Sequence, residues 1–288
     1  MTRAVRKVKE MLNRPALWDF SDAQSLYAGV DIGTYKTIAI VVDEKGEPRA
    51  ANMRRTEVAR SGLILDYVRA LEIVRELMEE IRNYSPRPIE KGATSYPPQT
   101  ESGNIETTKY ILEGAELEVV DVLDEPSAAN LVLGIRDGAI VDVGGGTTGV
   151  AVIEGGKVVR SFDEATGGLH FSLVLAGHLR VSLEEAEKIK TNRNMNRVVL
   201  PVVRPVIDKI SGIVDVSLRG FGGMKRVCMV GGTCELEGLA GIVGNNLGLD
   251  AFQPEAPQVI TPLGIALSCL CGGNGDGPGG KGNSDGRY

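Results

Sequence analysis

One local pattern occurs twice in this chain, and it constrains the fold more than any other feature. Residues 27–42 (YAGVDIGTYKTIAIVV) and 139–153 (AIVDVGGGTTGVAVI) both read as a β-branched strand, a glycine turn opening on an aspartate, and a second strand. The same strand–turn–strand unit used twice marks an internal duplication. Turns rich in Gly between short apolar runs predict hairpins.

Strand and helix patterns alternate around these units, so the chain reads as α/β. Strands are expected at 27–30, 37–42, 92–96, 117–122, 139–143, 149–153 and 226–230, with a turn and a further extended piece after 43–46 and a turn at 154–157. A helix over 66–84 carries Val68, Leu71, Val74, Leu77, Met78 and Ile81 as one stripe and stops at Ser85-Pro86. Shorter helices are expected at 105–113, 125–134 and 169–179, and one over 182–190 opens on a Ser182/Glu185 capping box. A long helix is expected from about Pro201 and Pro205, since Pro suits a first turn. Its inner side would carry Val202, Val206, Ile210, Ile213, Val214 and Ser217. Helices at 235–247 and 261–271 finish the pattern. Residues 1–20 are basic with Val5, Val8 and Leu12 at helical spacing; a frayed extension is expected, with a partner-docking amphipathic helix as the alternative. Residues 272–288 are mostly Gly, Asp and Asn, and disorder is expected there.

Composition narrows the function. The 288 residues are 42% hydrophobic and 24% charged, ordinary for a globular chain. A net charge of -6 disfavours nucleic acid and anionic membranes as partners, because both are held by excess Lys and Arg. Cys228, Cys234, Cys269 and Cys271 show no zinc spacing and, with only His170 and His178 to help, read as packing thiols. No apolar run is long enough to span a bilayer and no secretory leader is visible, so a cytoplasmic location is expected.

The glycine turns carry the chemistry. Successive N–H groups turned inward make an anion pocket, and Gly lets the backbone approach a phosphate. Thr34, Thr37, Thr147 and Thr148 would add hydroxyl donors. Asp31 and Asp142 open the loops at 31–37 and 142–148, where a carboxylate would repel phosphate unless hydrated Mg2+ lay between them. Two such loops facing each other would grip a metal–polyphosphate from both sides.

At these residues the sequence resembles the actin-like ATPase superfamily, especially the nucleotide domain of DnaK-type chaperones. DIGTYKT (31–37) and VDVGGGTTG (141–149) look like its two phosphate motifs, and VGGT (230–233) like its adenosine motif. LDEPSAANLVLG (123–134) and PLGIALSC (262–269) look like its connecting helices. ATSYPP (93–98), DEATGGLHFSLVLAG (163–177) and SLEEAEKIK (182–190) narrow the likeness to the EutJ family of ethanolamine-utilisation, chaperone-like proteins. The resemblance implies duplicated ribonuclease-H-like lobes with a nucleotide cleft between them. Lobe I would be 27–137, closed by a helix at 257–271, and lobe II 138–256, with an N-terminal extension at 1–26 and a tail at 272–288. It implies ATP and Mg2+ as ligands, a protein client in ethanolamine metabolism, and association with a bacterial microcompartment.

By motif position, Asp31 and Asp142 would hold Mg2+ through water, and Gly33, Thr34 and Tyr35 would contact phosphate. Gly144, Gly145, Gly146 and Thr147 would wrap it from the other side. Glu125 and Asp142 would be the catalytic carboxylates, Glu125 orienting the attacking water. Glu187 and Lys190 would meet ribose and purine, and Gly231, Gly232 and Thr233 would pack on adenosine. Three departures favour binding over fast hydrolysis. Gly149 stands where the chaperone pattern has an Asp, Glu235 where it has an adenine-stacking Arg, and its catalytic Lys has no evident counterpart. A small-molecule kinase and a nucleotide-dependent scaffold on the same fold stay open as alternatives.

Overall fold

A computed structural model describes residues 2–56, 58–60, 63–222 and 224–271; the Gly-rich tail lies outside them. Helix α1 (Thr2–Met11) precedes strands β1 (Leu26–Ile32), β2 (Lys36–Asp43) and β3 (Pro48–Arg55). The short strands β4 (Ala59–Arg60) and β5 (Leu63–Ile64) follow, then α2 (Tyr67–Tyr84), β6 (Lys91–Tyr96), α3 (Ser102–Gly114), β7 (Glu118–Asp124) and α4 (Glu125–Leu133). The second half runs β8 (Gly138–Val143), β9 (Thr148–Glu154), β10 (Lys157–Glu164), α5 (Gly168–Leu179), α6 (Leu183–Thr191) and α7 (Asn196–Leu218). It ends with β11 (Arg226–Val230), α8 (Leu239–Leu247), β12 (Asp250–Phe252) and α9 (Ile260–Ser268).

The duplication is visible in the topology. One sheet has the order β3-β2-β1-β6-β7 and the other β10-β9-β8-β11-β12. In each, an antiparallel meander of three strands is extended by two parallel strands. Each glycine loop joins the central strand to the hairpin strand beside it: β1 to β2, and β8 to β9. Both loops therefore leave the same end of their sheets, at the carboxyl ends of β1 and β8.

Helices α4 and α9 pack on each other, α9 against β1 and α4 against β8, so the pair lies between the sheets. Close approach needs small residues here: a Cβ on Gly264 would run into the Ala128 carbonyl, and one on Gly29 into the backbone of Ala266. The first apolar core gathers Ile38, Ile40, Leu77, Met78, Ile81 and Leu112; the second gathers Phe171, Val203, Ile207, Ile210 and Val243.

Several expectations need correcting. The described part of the N-terminal segment, residues 2–20, does not fray: Val5, Val8, Met11, Trp18 and Phe20 are buried in the first core, with α1 packed on β3. The long helix α7 starts at Asn196, so Pro201 and Pro205 lie within it, and Val199 and Val203 join its buried face. Val202 and Ile213 are only half-buried. Strand β10 follows the turn at residues 155–156, where no strand is expected from the sequence. Residues 232–235 form a single 3-10 turn, and α8 begins only at Leu239. Among the thiols Cys228 and Cys234 are buried, but Cys271 is exposed, its thiol reaching back to the Leu267 carbonyl at 3.8 Å. No helix among the described residues is long and apolar enough to cross a membrane.

Candidate functional site

A cavity of about 770 Å3 opens between the lobes, and the residues singled out in the two phosphate loops, Thr37 and Thr148 apart, line it together with the third glycine turn. Asp31, Gly33, Thr34 and Tyr35 form one wall, and Asp142, Gly144, Gly145, Gly146 and Thr147 face them. Gly231, Gly232, Thr233, Glu187 and Lys190 complete one end, and Glu125 stands at the first turn of α4.

The loops close on themselves in the same way. The Gly33 N–H donates to the Lys36 carbonyl and the Gly144 N–H to the Thr147 carbonyl, both at 3.0 Å. Each turn thus returns the chain into the hairpin strand, and the intervening residues line the cleft. The loops also abut across the cleft. A Cβ on Gly145 would overlap the Tyr35 ring, and one on Gly146 would lie 2.8 Å from Thr34 Oγ1. Gly231 has φ of +91°, and a Cβ there would strike the Asp142 carboxylate and the Val143 carbonyl. Two of the four expected hydroxyl donors are not at the cleft. Thr37 is fully buried in β2, and Thr148 is buried with its hydroxyl donating to the Thr166 carbonyl at 2.5 Å.

Burial sets the electrostatics. Asp31 is pushed up to about 6 by burial and by Asp142, against the pull of Lys36. Asp142 is raised by burial, although the Thr261 hydroxyl (3.0 Å) and Lys36 pull it down. Glu125 is raised well above the carboxylate range by burial, then by Asp142, Asp31 and Asp163. Like charges withdrawn from water disfavour one another's ionised forms. Among the described residues no group of three or more His, Cys, Asp or Glu could hold a bare metal ion.

Glu187 and Lys190 are joined at 2.5 Å with side chains mostly withdrawn from solvent, and Ser172 donates to the same Glu187 oxygen. Lys190 also donates to the Gly168 carbonyl and the Ser172 hydroxyl, both at 2.9 Å. Thr233 ties the third turn to the second loop by donating to the Gly144 carbonyl at 2.7 Å. Glu235 instead turns to Arg193 at 3.3 Å and lies outside the cavity lining.

Several lining residues escaped the sequence reading. Lys36 is the cation at the loops: burial lowers its pKa while Asp31, Asp142 and Glu235 hold it up, and its ammonium donates to Gln258 at 3.1 Å. It sits inside DIGTYKT, so the motif contained it. Arg55, Gln258 and Thr261 also line the cavity, and none belongs to a glycine motif. His170 accepts from the Gly167 N–H at 3.3 Å in the turn that starts α5, a structural role.

The family model described as "Type IV pilus assembly protein PilM" matches residues 105–254. The ethanolamine utilization protein EutJ of Escherichia coli (strain K12) is 39% identical over 244 residues, 84% of this chain and 86% of that one. The crystal structure of ethanolamine utilization protein EutJ from Carboxydothermus hydrogenoformans superposes with a TM-score of 0.87 at 39% identity, covering 92% of this chain and 97% of that one. MreB 5 of Spiroplasma citri bound to AMPPNP gives a TM-score of 0.68 at 17% identity over 84% of this chain and 95% of that one, a likeness of fold. The chain belongs to the EutJ family of ethanolamine utilization proteins, on the actin-like ATPase fold that PilM and MreB share.

Proposed function

We propose that the interlobe cleft binds ATP with Mg2+ and that nucleotide occupancy biases closure of the lobes, which a protein client in ethanolamine metabolism reads. The observation that carries this reading is the meeting of the two glycine loops across one cavity, with Asp31 and Asp142 beside them. Amide hydrogens at residues 34–35 and 145–146 would hold phosphate oxygens, as nests of backbone N–H groups do. Lys36 would neutralise part of the polyphosphate charge. Glu187 and Lys190, fixed by Ser172, would meet the ribose and base, and Gly231, Gly232 and Thr233 would pack on the adenosine.

The donor set fits a hydrated divalent cation. It offers oxygen only, its two loop carboxylates are both raised by burial and Asp31 further by Asp142, and among the described residues it forms no cage for a bare ion. Mg2+ keeps several waters and arrives with substrate phosphates. Bound there, it would offset phosphate charge at the scissile bond. Glu125 and Asp142 would be the catalytic pair, with Glu125 orienting water. Burial, and after it Asp142, Asp31, Asp163 and Asp124, raise the Glu125 pKa well above the usual carboxylate value, which favours its protonated form. A general base must be ionised to accept a proton, so slow or absent hydrolysis is the favoured reading. The chaperone-like role, the cytoplasmic location and the association with a bacterial microcompartment extend the family relationship to this chain.

Thermal melting with and without Mg-ATP tests the reading. Ligand at ~100 times its Kd stabilises a protein that binds only when folded by about 2.7 kcal/mol. Asp31→Ala and Asp142→Ala are expected to remove most of that gain in the presence of Mg2+. A wild type that gains nothing, or variants that gain as much as wild type, would contradict it.

A further inference from the structure

We propose that Gln258 is a positioning residue: it holds the Lys36 ammonium over the third glycine turn, where that ammonium takes the phosphate joined to the ribose, so that the cleft separates nucleotides from nucleosides at their first phosphate. Nucleotide binding in this cleft, as read above, is the premise. What is added is a residue outside every glycine motif and the point on the ligand that it governs.

Lys36 opens β2 directly after the first glycine loop, and its side chain crosses the cleft. Its ammonium donates to Gln258 Oε1 at 3.1 Å. It also lies against the third turn: a Cβ on Gly232 would come within 2.9 Å of Lys36 Nζ and 3.4 Å of Cε. A side chain at 232 would push the ammonium off this place. Gln258 itself is well anchored. It is the middle residue of a single 3-10 turn, Pro257–Val259, and both flanking residues are buried. Pro257 fixes its own φ, and its carbonyl accepts the Gly231 N–H at 3.0 Å. One turn further on, the Thr261 hydroxyl donates to Asp142 at 3.0 Å. The short segment 257–261 therefore touches all three glycine turns, through Lys36, Asp142 and Gly231. A carboxamide held this way sets where the ammonium stands.

An ammonium has three hydrogens to donate and accepts none. Among the described residues Lys36 gives one of them, to Gln258. Both side chains line the cavity, so the remaining N–H groups are available to a ligand. A neutral carboxamide oxygen holds the ammonium without cancelling its charge, which a carboxylate in its place would do. The location selects the phosphate. In the nucleotide reading the two glycine loops take the outer phosphates and the third turn takes the adenosine. Lys36 is rooted in the first loop and ends on the third turn, so its charge falls where those two parts of the ligand join. The group at that junction is the phosphate on the ribose. Gly232, expected from sequence to pack on adenosine, shares its surface with the Lys36 ammonium.

Competition against a fluorescent ATP analogue gives the affinities of adenosine, AMP and ADP, and the ratio of AMP to adenosine affinity is the readout. Wild type is expected to bind AMP about tenfold more tightly than adenosine, the weight of one hydrogen bond between charged groups. Lys36→Met should remove most of that ratio and leave adenosine binding as in wild type. Gln258→Ala should lower the ratio about threefold, as expected for one neutral hydrogen bond. Gln258→Glu pairs the ammonium and adds a negative charge beside the phosphate, so its ratio should fall below that of Gln258→Ala. In a Lys36→Met background Gln258→Ala should change nothing further, because Gln258 acts through Lys36. If Lys36→Met does not fold, the two Gln258 variants, at a half-buried side chain, carry the test. Wild type that binds AMP no better than adenosine overturns the proposal, as does an unchanged ratio in the Gln258 variants. So does an equal loss for adenosine and AMP, which marks a merely structural role, or a loss confined to the step from AMP to ADP, which puts Lys36 on a later phosphate. In each of these cases ADP still binds and the nucleotide reading stands. Wild type that binds neither the analogue nor ADP ends that reading and this proposal with it.

Discussion

Asp31 shows how the cleft's electrostatics reach the stability of the whole chain. Its carboxyl binds its proton more tightly in the folded chain, at about 6 instead of 3.8, because burial and Asp142 disfavour the charge. Between those two values the folded chain holds more protons than the unfolded one, so this group's contribution falls as pH rises through the window and stays lost at pH 7. Asp31→Asn is therefore expected to stabilise the empty protein at pH 7 by on the order of 1–3 kcal/mol, since each tenfold change in proton affinity corresponds to ~1.4 kcal/mol. Melting curves against pH should show the gain above pH 6 and its disappearance below 3.8. A lower midpoint for the variant at pH 7 would rule out the assigned strain. Asp31 and Asp142 were legible from sequence because an aspartate opening a glycine turn has few uses. Lys36 was overlooked between two threonines, although the β2 alternation that buries Thr37 turns Lys36 to the cleft. Strand β10 was hidden for a different reason: it breaks register between Val158 and Arg160, which erases the period-two pattern of a strand.

Among the elements, α1 shows what periodicity alone leaves undecided. Val5, Val8 and Leu12 stand at helical spacing, yet a frayed extension was the expectation because nothing in the sequence named a surface for the helix to cover. In the structure Val8 and Met11 are buried against the first lobe, and Arg6 and Lys9 reach Glu255 at 3.1 and 3.5 Å. Those ion pairs are partly exposed and contribute little; the apolar face holds the helix. Trp18, the one tryptophan, donates from its indole N–H to the Met11 carbonyl at 3.0 Å and meets the Tyr84 ring edge-on. Met11→Ala is expected to cost about 2–5 kcal/mol, with a red-shifted tryptophan emission preceding or accompanying unfolding. Full stability and unchanged emission would mean that α1 is only loosely attached. The start of α7 was misplaced because two prolines dominate that stretch. Pro201 and Pro205 lie inside a helix of 23 residues whose other turns and buried valines hold it. Tertiary packing overrides the local signal there.

At the scale of the molecule, duplication explains why the site forms at all. Two sheets with the same strand order put their glycine loops at equivalent ends, and helices α4 and α9 between the sheets bring those ends together. The segment before and into α9 also crosses between the lobes. Gln258 receives the Lys36 ammonium, Thr261 donates to Asp142, and the Pro257 carbonyl accepts the Gly231 N–H at 3.0 Å. The repeat was legible in the sequence because glycine and aspartate mark a loop strongly; these bridges were not, because Gln and Thr at a helix start carry no motif. A crystal structure grown with Mg2+ and a non-hydrolysable ATP analogue tests the shared cleft most directly. One analogue per chain is expected, with phosphate oxygens in reach of amides from both the 33–36 and the 144–147 loops. Density against one loop alone, or nucleotide bound anywhere else, would contradict it.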